Sequence, residues 1–174
     1  SINFKTSSVT KMSSMFKGCN KLISIDLRGL NTSCVEDMSF MFKDCSLIKT
    51  FDFSSFKTSY ANNFNGMFEI CGQLKLLNLS GFDTSKVTNI AKMFASCSQL
   101  LSLDLSNWNT ANVNTMASTF SGCSRLISLN LKSFDFGKVE AISNTFYNVN
   151  KKLSYCFNME DNNISQHIYD QWIE

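Results

Sequence analysis

The most reactive groups in the chain are seven cysteines, and five of them (Cys19, Cys45, Cys71, Cys97 and Cys123) stand at one fixed interval. A tetrahedral zinc site needs four ligands converging on one point. A column with one thiol per interval spreads its sulfurs along a line instead, and no Cys-x-x-Cys pair is present. No metal site and no cofactor are therefore expected. The column reads as buried thiols acting as small hydrophobes, and neighbouring members could pair only if their Cα atoms came within about 7 Å. Cys34 and Cys156 fall outside the column and are the candidates for exposure, reactivity or pairing outside the chain. Seven is odd, so one thiol stays unpaired within the chain. That suits a reducing compartment slightly better without excluding secretion.

A second set of chemical groups repeats with the same period. Asp26, Asp52, Asn78, Asp104 and Asn130 form one column, flanked by Ser24, Thr50, Leu76, Ser102 and Ser128 on one side and by Arg28, Ser54, Ser80, Ser106 and Lys132 on the other. On a parallel sheet these side chains share one face, about 4.8 Å from rung to rung. Carboxylates directly opposite one another repel. Asp26 beside Asp52 thus asks for a compensating group: Arg28, a neighbouring hydroxyl, or a bound cation such as Ca²⁺. As a site, the face offers Asp26, Arg28, Asp52, Asn78, Asp104, Asn130 and Lys132 to a polar ligand, protein or carbohydrate. As plain structure, the same residues make a solvated ladder that keeps the sheet soluble. The face has few of the Trp, Tyr and Arg anchors of tight interfaces, so modest affinity or avidity is expected. Phe40 and Ile70, on successive repeats, are expected on the surface as a lateral contact, and Tyr147 is expected to be exposed there too.

Catalysis has little to use. The only histidine, His167, lies near the C-terminus, far from any marked nucleophile. The repeated Asp positions lack the unlike environments that separate a general acid from a base. No enzyme is expected. Asn31, Asn78 and Asn163 begin glycosylation-type triplets, a number near chance in so Asn- and Ser-rich a chain, and a glycan on Asn78 would block the polar face.

The elements that position these groups follow from the period. Phe16, Phe42, Phe68, Phe94, Phe120 and Phe146 recur at that same interval without an insertion. Such a repeat stacks supersecondary units that cannot bury their apolar sides alone. Ile25 and Leu27 alternate with Ser24, Asp26 and Arg28, as in a strand. Val35, Met38, Met41, Phe42 and Cys45 are spaced by three and four, which predicts a helix of about three turns. Leu30, Phe56, Phe82, Trp108 and Phe134 plug the bend between them, Thr32, Thr58, Thr84 and Thr110 follow, and Ser33 with Glu36 has capping-box spacing. The complete absence of proline suits stacked strands. The expected fold is a right-handed α/β solenoid, a leucine-rich-repeat type of about six 26-residue strand–helix repeats with a parallel sheet, over residues 1–160. Residues 161–174 are expected to form a cap helix of the same domain, with Ile164, Ile168 and Trp172 on one side. The rival reading of that helix is docking onto another protein.

A net charge of +2, from 16 basic and 14 acidic residues, gives no field that would hold a phosphate backbone, so no nucleic acid partner is expected. No stretch approaches the roughly 20 apolar residues that span a bilayer. Residues 1–10 align with the middle of a unit, which predicts that the native N-terminus lies upstream and leaves any targeting signal outside this sequence.

The segments from Cys19 to Leu27, Cys97 to Ser106 and Cys123 to Leu131 are similar to leucine-rich repeats of the L-x-x-L-x-L type. More narrowly, L-D-L-S-N-W-N-T at Leu103 to Thr110, G-F-D-T-S-K-V-T at Gly81 to Thr88, and M-F-x-x-C at Met15, Met41, Met67 and Met93 resemble the BspA-like leucine-rich repeat surface proteins, which include short-repeat lipoproteins first noted in mycoplasmas. The resemblance covers the chain to about Phe157. Thr119 and Thr145 depart from it by replacing the repeated methionine, and no lipobox or secretion signal is present in this segment. The resemblance implies a non-enzymatic binding or adhesion module of a surface or secreted protein. The competing expectation is a rigid scaffold among the subunits of a larger, intracellular assembly.

Overall fold

A computed structural model describes residues 5–156 of the 174. The expected cap helix over 161–174 lies outside the described residues, as do His167 and Asn163. The chain winds through stacked rungs, one sequence repeat to each. Strands β1 (Ser102–Asp104), β2 (Ser128–Asn130) and β3 (Ser154–Cys156) form one parallel sheet in the order β1-β2-β3. Leu103 is in register with Leu129, and Leu129 with Tyr155, so the register is the sequence period itself. In the earlier rungs the equivalent segments keep the same alternation of burial without forming strands. Leu27, Phe53 and Leu79 point inward while Asp26, Asp52 and Asn78 face out.

The opposite side corrects the sequence reading. No helix forms among the described residues. In the rung from Met38 to Cys45 the amides of Met41, Lys43 and Cys45 donate to the carbonyls three residues back, at 3.1–3.3 Å, closing overlapping turns. The amides of Met38, Phe40, Phe42 and Asp44 instead donate to Asn63, Asn65, Met67 and Glu69 of the next rung, at 2.7–3.0 Å. The residue at the third position of the first and third turns is left-handed, with φ near +57° at Phe40 and +59° at Asp44, as a type II turn requires. The same two columns are left-handed in all six rungs, from Ser14 and Gly18 to Asn144 and Asn148. A helix would have directed these amides four residues back along the chain. Stacking in register offers every second amide a carbonyl on the neighbouring rung, and the backbone takes it. The capping box goes with the helix: the Ser33 amide donates to Asn31 Oδ1 at 3.0 Å in a local turn.

Between the two sides the core is aromatic. The Phe column forms a continuous stack, with ring centroids 5.4–5.9 Å apart and, from Phe16 to Phe120, planes within 10° of parallel. Each such pair adds about 0.5–1.5 kcal/mol beyond burial. Trp108 stacks on Phe134 in the second aromatic column, at 6.4 Å. The threonines that enter this core bond to the backbone of neighbouring rungs. Thr84 Oγ1 accepts from the Asn109 amide at 2.8 Å and donates to the Asn109 carbonyl at 3.0 Å. Thr32, Thr58 and Thr110 repeat the arrangement. Thr119 and Thr145, which replace methionine, are buried and donate to carbonyls of their own turn and of the preceding rung. The departure from the repeat is thus accommodated by hydrogen bonding.

Candidate ligand face

Each outward Asp or Asn of the strand side is followed by a bend, and its short side chain can satisfy the amide two residues on. The structure uses every one this way. Oδ1 of Asp26, Asp52, Asn78, Asp104 and Asn130 accepts from the amides of Arg28, Ser54, Ser80, Ser106 and Lys132, at 2.9–3.2 Å. The candidate ligand column is therefore also a structural column. One oxygen of each member holds the bend, and at Asp26 the second oxygen is taken as well, by Arg28.

Charge on this face is balanced within the chain at its N-terminal end. Arg28 grips Asp26 with Nε on Oδ1 and Nη2 on Oδ2, both at 2.9 Å. The side-chain hydrogen bonds from Arg28, joined by its amide, hold the Asp26 carboxyl down at about 2, and the same pairing raises Arg28. Asp52 and Asp104 are also lowered, first by the amides of Ser54 and Ser106 and then by those serines' hydroxyls, and Arg28 adds a smaller attraction at Asp52. Of the compensating groups expected for Asp26 and Asp52, the structure supplies the arginine and the hydroxyl. Among the described residues no cluster of His, Cys, Asp and Glu is arranged to hold a metal.

The face is gathered into shallow depressions. Asn78, Ser80, Asp104 and Ser106 line one together with Leu76 and Asn107. Asp52 lies in another with Ser54, Lys57, Asn78 and Ser80. Asp26 and Arg28 line neither of these, and neither do Asn130 and Lys132. Asn107, which the sequence reading did not single out, bridges rungs by donating from Nδ2 to the Ser80 carbonyl at 2.7 Å. It stands where other rungs carry Gly29, Ser55, Gly81 and Ser133, and a long amide in a column of small residues was the available signal.

The lateral candidates separate. Phe40 is half-buried: its ring lies over Gly66 of the next rung and has the ammonium groups of Lys17 and Lys43 5.7 and 5.5 Å from its centre. Lys43 also pairs with Glu69 at 2.7 Å. Ile70 and Tyr147 are exposed. Of the six cysteines whose side chains are described, Cys34 is exposed, Cys19 is half-buried and the other four are buried, all with free thiols. Each buried Sγ donates to a Phe carbonyl of the preceding rung at 3.1–3.3 Å, as Cys97 does to Phe68. Burial pushes the Cys45 and Cys123 thiols up to about 12 and raises Cys71 and Cys97 as well.

Stacked parallel rungs with a bonded interior and an open polar face define a repeat solenoid, a protein that presents an extended surface. The family model described as "Mycoplasma protein of unknown function, DUF285" matches residues 2–77 and again 71–170, and the chain belongs to that family. No curated protein shows significant similarity to it. Two solved structures are similar. A leucine-rich repeat protein from Eubacterium ventriosum ATCC 27560 is 19% identical, with a TM-score of 0.45, over 71% of this chain and 30% of its own. One from Bacteroides ovatus ATCC 8483 is 20% identical, with a TM-score of 0.41, over 85% and 43%. The chain therefore spans less than half the length of either, and likeness at this level carries no argument about function. No helix among the described residues is long and apolar enough to cross a membrane.

Proposed function

We propose that the chain is a non-enzymatic binding module of a surface or secreted protein, recognising a polar ligand, peptide or carbohydrate, through its strand face. The observation that carries this reading is the depression lined by Asn78, Ser80, Asp104, Ser106 and Asn107. It presents amide, hydroxyl and carboxylate groups side by side, with Asn78 and Asp104 already held by the amides of Ser80 and Ser106, so part of the ordering cost of binding is met in advance. Membership of a family that resembles adhesive surface proteins supports the same reading. The test is a glycan and peptide array probed with the whole chain and with an Asn107→Ala/Ser106→Ala variant, which leaves the bend-forming oxygens in place. Loss of at least ten-fold in the strongest signal is the expected result, and identical profiles would refute the assignment. A second reading, a rigid spacer in a larger assembly, draws on the six free cysteines. It predicts no array signal and co-purification with a particle.

A further inference from the structure

One corner of the rod is chemically unlike the rest. The chain turns there from the turn side to the strand side, through residues 20–24, 46–50, 72–76, 98–102 and 124–128. Among the described residues eight large hydrophobic side chains are exposed, and five of them sit on this corner: Ile23, Leu47, Leu76, Leu101 and Ile127. Ile23 is 71% and Leu76 63% exposed. Interleaved with them are the exposed cations Lys21, Lys49, Lys75 and Arg125. None of the chain's 14 acidic residues falls in these segments. The nearest acidic residues flank these segments, the half-buried Asp44 on the turn side and Asp26, Asp52 and Asp104 on the strand face, where Asp26 is already paired with Arg28.

We propose that this corner seats the rod on an anionic lipid surface. Aliphatic side chains interleaved with Lys and Arg are the composition that binds at the headgroup boundary: apolar groups enter the interface, and cations meet anionic headgroups and lie their alkyl stems along the apolar layer. Shape selects a bilayer over a peptide. The hydrogen bonds from Leu22 to Cys19, Ile48 to Cys45, Leu74 to Cys71, Leu100 to Cys97 and Leu126 to Cys123 make each rung turn at this point, so neighbouring side chains project from a convex edge. Five rungs at the spacing of a parallel sheet make that edge about 20 Å long. It matches a flat surface, whereas a peptide ligand is held in a groove or along an open strand edge. Cations near such a membrane each contribute about 1 kcal/mol, screened by salt.

The test is flotation of the whole chain with vesicles of phosphatidylcholine alone or of phosphatidylcholine and phosphatidylserine mixed two to one. Binding to the anionic vesicles, weakened by salt at about 0.5 M, is expected. Lys49→Gln/Lys75→Gln should weaken it roughly thirty-fold, at about five-fold per charge, and Ile23→Ser/Ile127→Ser should also release the protein. Lys86→Gln/Lys138→Gln, equal in charge change but on another edge, and Asn107→Ala/Ser106→Ala on the strand face should bind as wild type, which separates this proposal from the ligand-face reading. Absence of binding to anionic vesicles would overturn it. Equal losses in the Lys86/Lys138 variant, or capture by a poly-glutamate peptide but not by vesicles, would do so too. Circular dichroism of each variant reports whether it has kept the fold.

Discussion

The threonine ladder makes a prediction that runs against hydrophobicity. Thr84 is buried, and its hydroxyl makes two bonds to the backbone of Asn109 in the next rung. Thr84→Val keeps the shape and replaces a hydroxyl by a methyl. Counted by apolar burial alone, the change stabilises by about 0.8 kcal/mol. Counted by the ladder, it removes a bond worth about 1 kcal/mol to the Asn109 carbonyl and sets a methyl against an amide that has lost its acceptor, a further penalty of about 1–3 kcal/mol. The net expectation, with these losses set against the gain in burial, is a loss of about 2 kcal/mol. Thr84→Ser keeps both bonds and loses one methyl, for a cost of about 1 kcal/mol. The assay is urea unfolding followed by circular dichroism. With a slope of about 2 kcal/mol per M, the valine variant should unfold about 1 M earlier than wild type and the serine variant about 0.5 M earlier. A valine variant as stable as wild type, or more so, would refute the view that the rungs are tied through these hydroxyls.

Three further outcomes follow from the geometry. A Cβ at Gly66 would stand 2.5 Å from Phe40 Cδ1, at a residue with φ of +58°. Gly66→Ala should therefore cost about 2–3 kcal/mol, falling to about 1–2 kcal/mol, the cost of a left-handed alanine, in a Phe40→Ala background; an equal cost in both backgrounds contradicts the contact. Asp26 titrates at about 2 in the fold against 3.8 ordinarily, so its contribution is present above pH 3.8 and is lost as pH falls through 2. NMR titration of Arg28→Gln should move the Asp26 midpoint upward but not all the way to 3.8, because the amide bond of residue 28 remains, and a midpoint still near 2 would show that the guanidinium is not the cause. With iodoacetamide at mildly alkaline pH, Cys34 should be modified in the native protein while Cys45, Cys71, Cys97 and Cys123 react only after unfolding; labelling of those four at the rate of Cys34 would contradict their burial.

The period, the core columns and the polar face were all legible because each is carried by side-chain identity repeated at a fixed interval. The turn side was misread because two backbones share one pattern. A helix and a run of overlapping turns both send Val35, Met38, Met41, Phe42 and Cys45 inward at spacings of three and four. The distinguishing signal lay in two outward columns, where Gly18, Gly66, Gly122, Asn144 and Asn148 supply residues that tolerate a positive φ. Phe40 and Ile70 obscured it, since both sit in those columns and read as surface hydrophobes; the stack holds them left-handed, at φ +57° and +64°. On the strand face the chemistry was legible and the structural role was not. The residue two places after each Asp or Asn, serine in three rungs and Arg28 or Lys132 in the others, gives no hint that the carboxyl or amide is turned back onto the chain.

The alternating hydrogen bonds of the turn side give the rod an electrical direction. In the Met38–Cys45 rung the Ser39 carbonyl accepts from Ser14 of the rung before, while the Phe40 amide donates to Asn65 of the rung after. The peptide unit joining Ser39 to Phe40 therefore lies along the solenoid axis. The units entering Met38, Phe42 and Asp44 point the same way, and bonds running in reverse, such as Asn62 to Glu36, are fewer. In the common parallel sheet, successive peptide units alternate and largely cancel. Here four units per rung, each with a dipole of about 3.5 D, add from rung to rung. The carbonyl pole faces the N-terminal side, the reverse of an α-helix. Two such rods meeting end to end attract head to tail and repel head to head.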